Sequence, residues 1–216
     1  MKIAASIMCA NQLELAEELK NLEQAKVDLL HCDVMDGVFV NNLAMGPYIL
    51  EEIKRATNIP LDIHLATIEP TKYINMFKDL KPEYISFHYE TSYDVTKDIK
   101  LIRDNGIKPA LAISPSTSVE AIKEYLKDID MLLVMTVEPG FAGQKFNKSV
   151  LNKLEKLELL MEGLDNKPLI EVDGCINLET IPLIKNADVY VLGTSALFND
   201  KEGSYEGKIE NIKRIV

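Results

Sequence analysis

Short apolar runs alternate with longer amphipathic segments along the whole chain. Several of the short runs are continuous stretches of Val, Ile and Leu, a composition typical of strands buried on both faces. Each run is five to seven residues long, an ordinary strand length. Strands are predicted at 2–6, 27–33, 60–66, 84–90, 108–114, 131–137, 168–173 and 189–193.

The segments between these runs carry the period of helices. Residues 12–25 repeat apolar positions at helical spacing, which predicts that one buried face is shared by Leu13, Ala16, Leu19 and Leu22. Two further helices are expected at 148–161 and 204–215.

Proline, glycine and capping residues mark where other helices begin and end. Pro47 and Pro70 occupy the first-turn position that proline tolerates, so helices are expected to begin there. Thr117 and Glu120 have the spacing of a capping box. Gly106 follows an apolar stripe, as a C-terminal cap does.

Strands that alternate with helices indicate βαβ units and a parallel sheet. The 216 residues allow each of eight units about 27 residues, close to the minimum for such a repeat. The predicted fold is therefore α/β, a (β/α)₈ TIM barrel that occupies residues 1–216 as a single domain. A doubly wound open sheet is the alternative, and the absence of a G-x-G-x-x-G motif after the first strand argues against it.

The charge balance excludes several classes of partner. The chain has 24 Lys and Arg against 34 Asp and Glu, a net charge of -10, which argues against a nucleic-acid binder. There is no apolar run of about 18 residues for a membrane span, and the N-terminus does not resemble a signal peptide. Cys9, Cys32 and Cys175 are too few and too scattered for a disulfide framework, so we expect a cytoplasmic protein.

All three histidines of the chain lie at the ends of predicted strands: His31, His64 and His88. In a barrel, the carboxyl ends of the strands form the active-site face. Side chains alternate along a strand, so His31 and Asp33 share a face. With His64 and Asp173 they would present two imidazoles and two carboxylates, a donor set that suits a divalent ion such as Zn, Mn, Fe or Co.

Some polar residues near these strand ends are open to two interpretations. Asp62 shares a face with His64 and either orients that imidazole or simply begins the strand. His88 and Glu90 also share a face, either as a polar lining of the site or as a structural pair.

Glycine-bearing loops follow the last three predicted strands, at 138–144, 173–175 and 193–195. Loops after the seventh and eighth strands of a barrel commonly bind phosphate through backbone N–H groups. The three loops together favour a phosphorylated ligand.

Five segments of the chain together resemble the ribulose-phosphate 3-epimerase family, and the likeness covers nearly the whole sequence. They are Ser6–Met8, His31–Gly37, Leu61–Leu65, Val134–Gln144 and Glu171–Gly174. The resemblance implies a metal-dependent barrel enzyme that inverts the hydroxyl-bearing C3 of a ketose phosphate.

The resemblance also implies roles for individual residues. One divalent ion (Zn, Mn, Co, Fe or Mg) would be held by His31, Asp33, His64 and Asp173, and Asp33 and Asp173 would transfer the protons. A homo-oligomer, either a dimer or a hexamer, is implied as well. Substrate contacts are expected from Ser6, His64, Met35, Met135, Gly143, Gly174, Cys175, Thr194 and Ser195.

The chain departs from the family pattern at four positions. Val38 replaces a histidine, Asn41 a proline, and Cys175 the second glycine of a Gly-Gly pair. Ala66 replaces a methionine and is expected to widen one wall of the pocket.

Other segments resemble the branch of the family that acts on D-allulose 6-phosphate. They are Met8 with Cys9, the GFAGQ loop, and Gly193–Asn199. The expected reaction is therefore the interconversion of D-allulose 6-phosphate and D-fructose 6-phosphate through an enediolate. D-Ribulose-5-phosphate 3-epimerase, a metal-dependent phosphosugar aldolase and a non-catalytic sugar-phosphate-binding barrel are the alternatives. Paired Asp33 and Asp173 argue against the last, because binding alone needs no acid and base.

Overall fold

The computed structural model describes residues 1–199 and 203–215. Eight parallel strands surround one axis, and a ninth strand of two residues pairs antiparallel with the end of one of them. The strands are β1 Lys2–Ser6, β2 Leu29–Asp36, β3 Leu43–Ala44, β4 Leu61–Ala66, β5 Tyr84–His88, β6 Lys108–Ile113, β7 Met131–Met135, β8 Leu169–Asp173 and β9 Val189–Leu192.

The sheet closes on itself because β1 pairs with both β2 and β9. This closure makes the eight parallel strands a TIM barrel, as predicted, and rules out the open doubly wound sheet. The register aligns Asp33 on β2 with His64 on β4, and Met135 on β7 with Asp173 on β8. Residues of four strands therefore reach the same end of the barrel at similar heights.

Six α-helices lie among the described residues, and 3₁₀ segments replace helices in two of the connections. The helices are α1 Leu15–Gln24, α2 Pro47–Ala56, α3 Pro70–Phe77, α4 Val95–Asp104, α5 Val150–Leu160 and α6 Tyr205–Lys213. The 3₁₀ segments Val119–Tyr125 and Ile181–Leu183 stand between β6 and β7 and between β8 and β9. Within the ranges that the structure describes, no helix has the length and apolar character needed to cross a bilayer.

The predicted strands are all present, and their ends differ in places. β2 begins at Leu29 and continues to Asp36, whereas Tyr89 and Glu90 lie in a 3₁₀ turn after β5. Helices begin at Pro47 and Pro70 as predicted.

The predicted buried face of the first helix is partly wrong. Leu13 is 97% exposed, and Ala16 is also exposed. Residues 12–14 form a separate 3₁₀ turn capped by the side chain of Asn11, so the α-helical phase begins only at Leu15. The face that packs on the core consists of Leu15, Leu19 and Leu22.

Gly106 was predicted to end one helix and Thr117 to begin another, and only the first prediction is confirmed. Gly106 follows α4 with a φ of +73°, and its N–H donates to Arg103 O at 2.9 Å, which confirms the C-terminal cap. The capping box at Thr117 is wrong, because Ser118 is the residue that precedes the 3₁₀ segment. The Thr117 hydroxyl donates instead to Glu90, which lies in the 3₁₀ turn after the neighbouring strand β5.

The barrel interior changes character along its axis. At the amino ends of the strands it is filled by an apolar cluster, called here the bottom layer: Ala4, Leu29, Tyr84, Ala110, Met131, Val189 and Val191. At the carboxyl ends the inward side chains are mostly polar. The larger apolar core lies between the outside of the barrel and the helices, where Phe77 and Phe87 are fully buried.

Candidate active site and metal centre

Two imidazoles and two carboxylates meet at the carboxyl end of the barrel. His31, Asp33 and His64 are almost completely buried. Asp33 Oδ1 lies 3.4 Å from His31 Nε2 and 3.1 Å from His64 Nδ1. With Asp173 at the end of β8, each residue offers one donor atom, and these four atoms lie within 4.8 Å of one another.

This cluster fits a divalent cation. The fully buried His31 Nε2 has no hydrogen-bond partner, although a buried polar atom normally has one. Donors bonded at about 2.1 Å to one ion lie roughly 3.0–3.4 Å apart, which matches both spacings around Asp33. Two nitrogen and two oxygen donors also suit first-row divalent ions. His31, Asp33, His64 and Asp173 are therefore able to hold a metal ion.

A second pair of carboxylates lies beneath His31. Asp62 Oδ2 is 2.6 Å from His31 Nδ1, so Asp62 orients His31 and not His64, the imidazole considered from the sequence. The pairing register sets His31 opposite Asp62 on the neighbouring strand, which explains the difference. Glu171 Oε1 lies 3.8 Å from the same nitrogen and is completely buried.

Glu171 was not among the site residues predicted from the sequence. Burial and the nearby charge of Asp62 raise the pKa of Glu171 well above its ordinary value. The available signal was an acidic residue in an apolar strand, two positions before Asp173 and therefore on the same face.

The third histidine extends the polar cluster toward the surface. His88 is fully buried, with its Nε2 3.0 Å from His64 Nε2 and its Nδ1 3.0 Å from Glu90 Oε2. Burial lowers the pKa of His88 to about 4. Burial alone would raise the pKa of Glu90, but hydrogen bonds from His88, Thr117 and the Ser114 N–H lower it to about 2. Both residues thus belong to a hydrogen-bonded chain that ends at His64.

The environments of Asp33 and Asp173 push their pKa values in opposite directions. Burial opposes ionisation of Asp33, but the adjacent His31 and His64 hold its pKa well below the usual range. Burial and the charge of Asp33 raise the pKa of Asp173. Two carboxylates with divergent pKa values in one site are a common arrangement for acid–base chemistry.

A cavity of about 290 Å³ opens above these carboxylates. Ser6 lies on its wall and donates to Asp33 Oδ2 at 3.0 Å. His31 lies below the cavity, where it contacts the cluster but not the open space. All other site residues expected from the sequence line the cavity: Ser6, Asp33, Met35, His64, Met135, Gly143, Asp173, Gly174, Cys175, Thr194 and Ser195.

The sequence relationships of the chain agree with this geometry. The profile of the ribulose-phosphate 3-epimerase family matches residues 2–198, nearly the whole chain. The chain belongs to this family. It is accordingly an isomerase, an epimerase acting on carbohydrates.

Relatives of this epimerase are named ribulose-phosphate 3-epimerase. Ribulose-phosphate 3-epimerase from Bacillus subtilis is 40% identical over 193 residues, which cover 89% of each chain. The protein of the same name from Methanocaldococcus jannaschii is 42% identical over 201 residues, covering 92% of this chain and 84% of that one.

Solved structures that resemble this epimerase share its fold at low sequence identity. The 3-keto-L-gulonate-6-phosphate decarboxylase of Vibrio cholerae superposes with a TM-score of 0.68 at 13% identity, covering all of this chain and 98% of that one. N-(5'-phosphoribosyl)anthranilate isomerase of Pyrococcus furiosus gives 0.62 at 17%, again covering all of this chain and 98% of the other. Both likenesses bear on the barrel fold alone.

In this epimerase, the loop after β8 turns sharply beside the cavity and is bonded to the loop after β9. Gly174 has a φ of +117°, and a Cβ there would lie 2.6 Å from Val137 Cγ2. Cys175 continues the turn with a φ of +53°, a conformation that costs a non-glycine residue energy. The Ser195 hydroxyl donates to Ile176 O at 3.0 Å and so joins the two loops.

The expectation that Ala66 widens the pocket is wrong. Ala66 is fully buried in a cluster with Met35 and Val40, against which Phe39 packs, and it does not line the cavity. Its side chain contacts other apolar side chains and has no surface open to the cavity. Ala66 therefore carries no information about the length of the substrate.

Proposed function

We propose that this protein is a metal-dependent 3-epimerase of a ketose phosphate that interconverts D-allulose 6-phosphate and D-fructose 6-phosphate. The observation that carries the proposal is the placement of Asp33 and Asp173. They extend from strands that are not neighbours in the barrel, and both line one cavity next to a cluster that fits a metal ion.

Inversion at C3 needs two proton-transfer groups. The proton on a carbon next to a ketone is weakly acidic, and the planar intermediate left by its removal must be reprotonated on the opposite face. Asp33 removes the proton on one side and Asp173 returns one on the other, with the roles exchanged in the reverse direction.

The chain's other residues hold the reacting groups in place. His31, Asp33, His64 and Asp173 would hold a divalent ion, which would supply Lewis acidity to stabilise negative charge on the substrate oxygens. Ser6 keeps Asp33 oriented through its hydrogen bond. Met35 and Met135 give the cavity an apolar wall that limits water beside the reacting carbon.

The phosphate group is assigned to the glycine loops after β7, β8 and β9. Backbone N–H groups of such loops bind phosphate without a cationic side chain, which suits a chain with a net charge of -10. The contacts that we propose come from Gly143, Gly174, Cys175, Thr194 and Ser195.

The six-carbon substrate is favoured by the segments that resemble the allulose-phosphate branch. Met8, Cys9 and the Gly193 loop all line the cavity. Cys9 and Gly193 pack together, since a Cβ on Gly193 would lie 3.1 Å from Cys9 Sγ. One continuous wall of the cavity is therefore built from branch-like sequence. D-Ribulose 5-phosphate is the second candidate, because the relatives named above are ribulose-phosphate 3-epimerases.

Proton NMR in D₂O with each sugar phosphate, with and without a chelator, tests the proposal. We expect deuterium to replace the C3 proton as the epimer accumulates, faster with D-allulose 6-phosphate than with D-ribulose 5-phosphate. A faster reaction of the pentose would establish the second candidate. Release of a carbon fragment would indicate an aldolase, and the absence of C3 exchange with either sugar would refute the epimerase.

Two further properties belong to the proposal. The ion is one of Zn, Mn, Co, Fe or Mg, and elemental analysis of the purified protein identifies it. The chain assembles with copies of itself, as a dimer or a hexamer, and light scattering in solution measures the mass of that assembly.

A further inference from the structure

His88 and Glu90 contact the metal cluster only through His64. The His88 ring is held on one side by Phe39, whose ring centroid lies 4.7 Å away. Its two nitrogens face opposite partners, His64 Nε2 at 3.0 Å and Glu90 Oε2 at 3.0 Å. A hydrogen bond between two imidazole nitrogens needs one donor and one acceptor. The direction of this bond therefore decides which nitrogen of His64 carries its proton.

The direction is set at the Glu90 end of the chain. The backbone N–H of Ser114 donates to Glu90 Oε1 at 2.8 Å, and the Thr117 hydroxyl donates to the same oxygen. A backbone N–H can only donate, so Glu90 acts as the acceptor there. The other carboxylate oxygen then accepts from His88 Nδ1–H.

The remaining bonds follow in order from that end. A neutral His88 with its proton on Nδ1 has a lone pair on Nε2, which accepts the Nε2–H of His64. His64 is left with its lone pair on Nδ1, the atom 3.1 Å from Asp33 Oδ1. At His31 the arrangement is reversed, because Nδ1 is bound to Asp62 and Nε2 is the unpartnered atom.

We propose that Glu90, acting through His88, is a positioning residue that holds His64 in the Nε2–H tautomer and so presents Nδ1 to the metal ion. This inference rests on the proposed function, since it assigns a role toward the ion that the site would hold. His31 and His64 would thus bind the ion through different ring nitrogens. Partners behind a metal-bound imidazole typically change metal affinity by about 10–100-fold when they are removed.

The histidine tautomers of the unaltered protein give the first test. The chain has three histidines, so their ring ¹⁵N resonances can be resolved and assigned in the Zn²⁺-loaded protein. We expect His64 to be protonated on Nε2 with the metal on Nδ1, and His31 to show the opposite pattern. Protonation of His64 on Nδ1 would overturn the inference. This measurement does not depend on the folding of any variant.

Glu90→Gln gives the second test. An amide NH₂ that faces His88 reverses the direction of the hydrogen bonds. His88 then accepts at Nδ1 and donates from Nε2, and His64 must carry its proton on Nδ1. We expect Co²⁺ to bind at least about tenfold more weakly, with an altered visible spectrum. Unchanged affinity and spectrum would contradict the inference.

Thr117→Val is the matched control. It removes a hydrogen bond to the same Glu90 oxygen but leaves the carboxylate and the direction of the chain intact. If Glu90 only anchored the loop at 114–117, both variants would change the Co²⁺ spectrum alike, and the inference would fall. We expect the Thr117→Val spectrum to match that of the unaltered protein. Failure of the unaltered protein to bind Co²⁺ or Zn²⁺ would instead refute the proposed function, and the inference with it.

Discussion

The two ends of the barrel interior are built from the same strands but differ in polarity: one end is apolar and the other contains buried polar atoms. At the amino ends, the bottom layer consists of buried apolar side chains such as Leu29 and Met131. At the carboxyl ends, His31 Nε2 and both oxygens of Glu171 are buried without a hydrogen-bond partner. Unpaired buried polar atoms cost stability, so they are tolerated where function needs them. The apolar lower half stabilises the fold, whereas the unpaired polar atoms of the upper half lower its stability.

Strand β2 shows how short the transition is. Its inward positions are Leu29, His31 and Asp33, because side chains of a strand alternate with a period of two. Asp33, a carboxylate at the cavity, is only four positions along the strand from the core residue Leu29. The contrast predicts that changes at the upper positions affect turnover and that changes at the lower positions affect stability.

The largest effect is expected from Asp33→Asn. This change removes the proposed proton-transfer group and proposed metal donor together, so exchange of the C3 proton should fall by about 10⁴-fold or more. The amide keeps the shape of the side chain but loses the ionised contacts with His31 and His64, so the thermal midpoint should fall modestly. Proton NMR in D₂O and thermal unfolding measure the two quantities. Near-normal turnover would remove Asp33 from the mechanism.

Removal of the metal ion should come next in size. Incubation with a chelator is expected to lower turnover by about 10³-fold, since Lewis-acid stabilisation contributes several kcal/mol to the barrier. Addition of a divalent ion in excess should restore the activity. Full activity after dialysis against chelator, with no ion found by elemental analysis, would contradict the metal site.

Leu29→Ala tests the bottom layer. The substitution should cost about 2–5 kcal/mol of unfolding free energy, measured by urea denaturation, while turnover per folded molecule stays within about twofold. Leu13→Ala is the control, because Leu13 is 97% exposed and its loss should change stability by less than about 0.5 kcal/mol. A large loss of turnover in folded Leu29→Ala would break the separation of the two halves.

The smallest expected effect is the pH dependence of the stability that Glu90, in the upper half of the barrel, contributes. The pKa of Glu90 is lowered from 4.5 to about 2 in the folded chain, so ionised Glu90 stabilises the fold above about pH 4.5. That contribution is lost as the pH falls from 4.5 toward 2. In metal-free protein, the destabilisation caused by Glu90→Gln should therefore shrink between about pH 6.5 and pH 3. The destabilisation caused by Leu29→Ala should not change, and a parallel decrease would refute this difference between the halves.

Much of the barrel was predictable because its signals are local. Buried parallel strands appear as apolar runs, and first-turn prolines mark the starts of α2 and α3. The helical phase of α1 was not predictable, because the preceding residues form a 3₁₀ turn that shifts which side chains face inward. Only the packing of the finished helix distinguishes Leu15 from Leu13 as its core residue.

The candidate site also contains some residues that were predictable from the sequence and others that were not. The four proposed metal ligands were predictable because they stand at strand ends, where the barrel rule brings them together. The hydrogen-bond partners of these ligands were not predictable. Asp62 contacts His31 because the register between β2 and β4 sets the two residues opposite each other. Register depends on how the sheet closes, which no single segment encodes.

Gly174 has a consequence for how this protein can evolve. Any other residue there would place its Cβ 2.6 Å from a methyl group of Val137, in a backbone conformation with a φ of +117°. The Thr136 hydroxyl oxygen would lie 2.9 Å from the same Cβ, so a smaller residue at 137 alone would not make room. The φ itself is unfavourable for every residue with a side chain. The loop beside Asp173 therefore depends on glycine at this position, and a mutational scan should tolerate no other residue there.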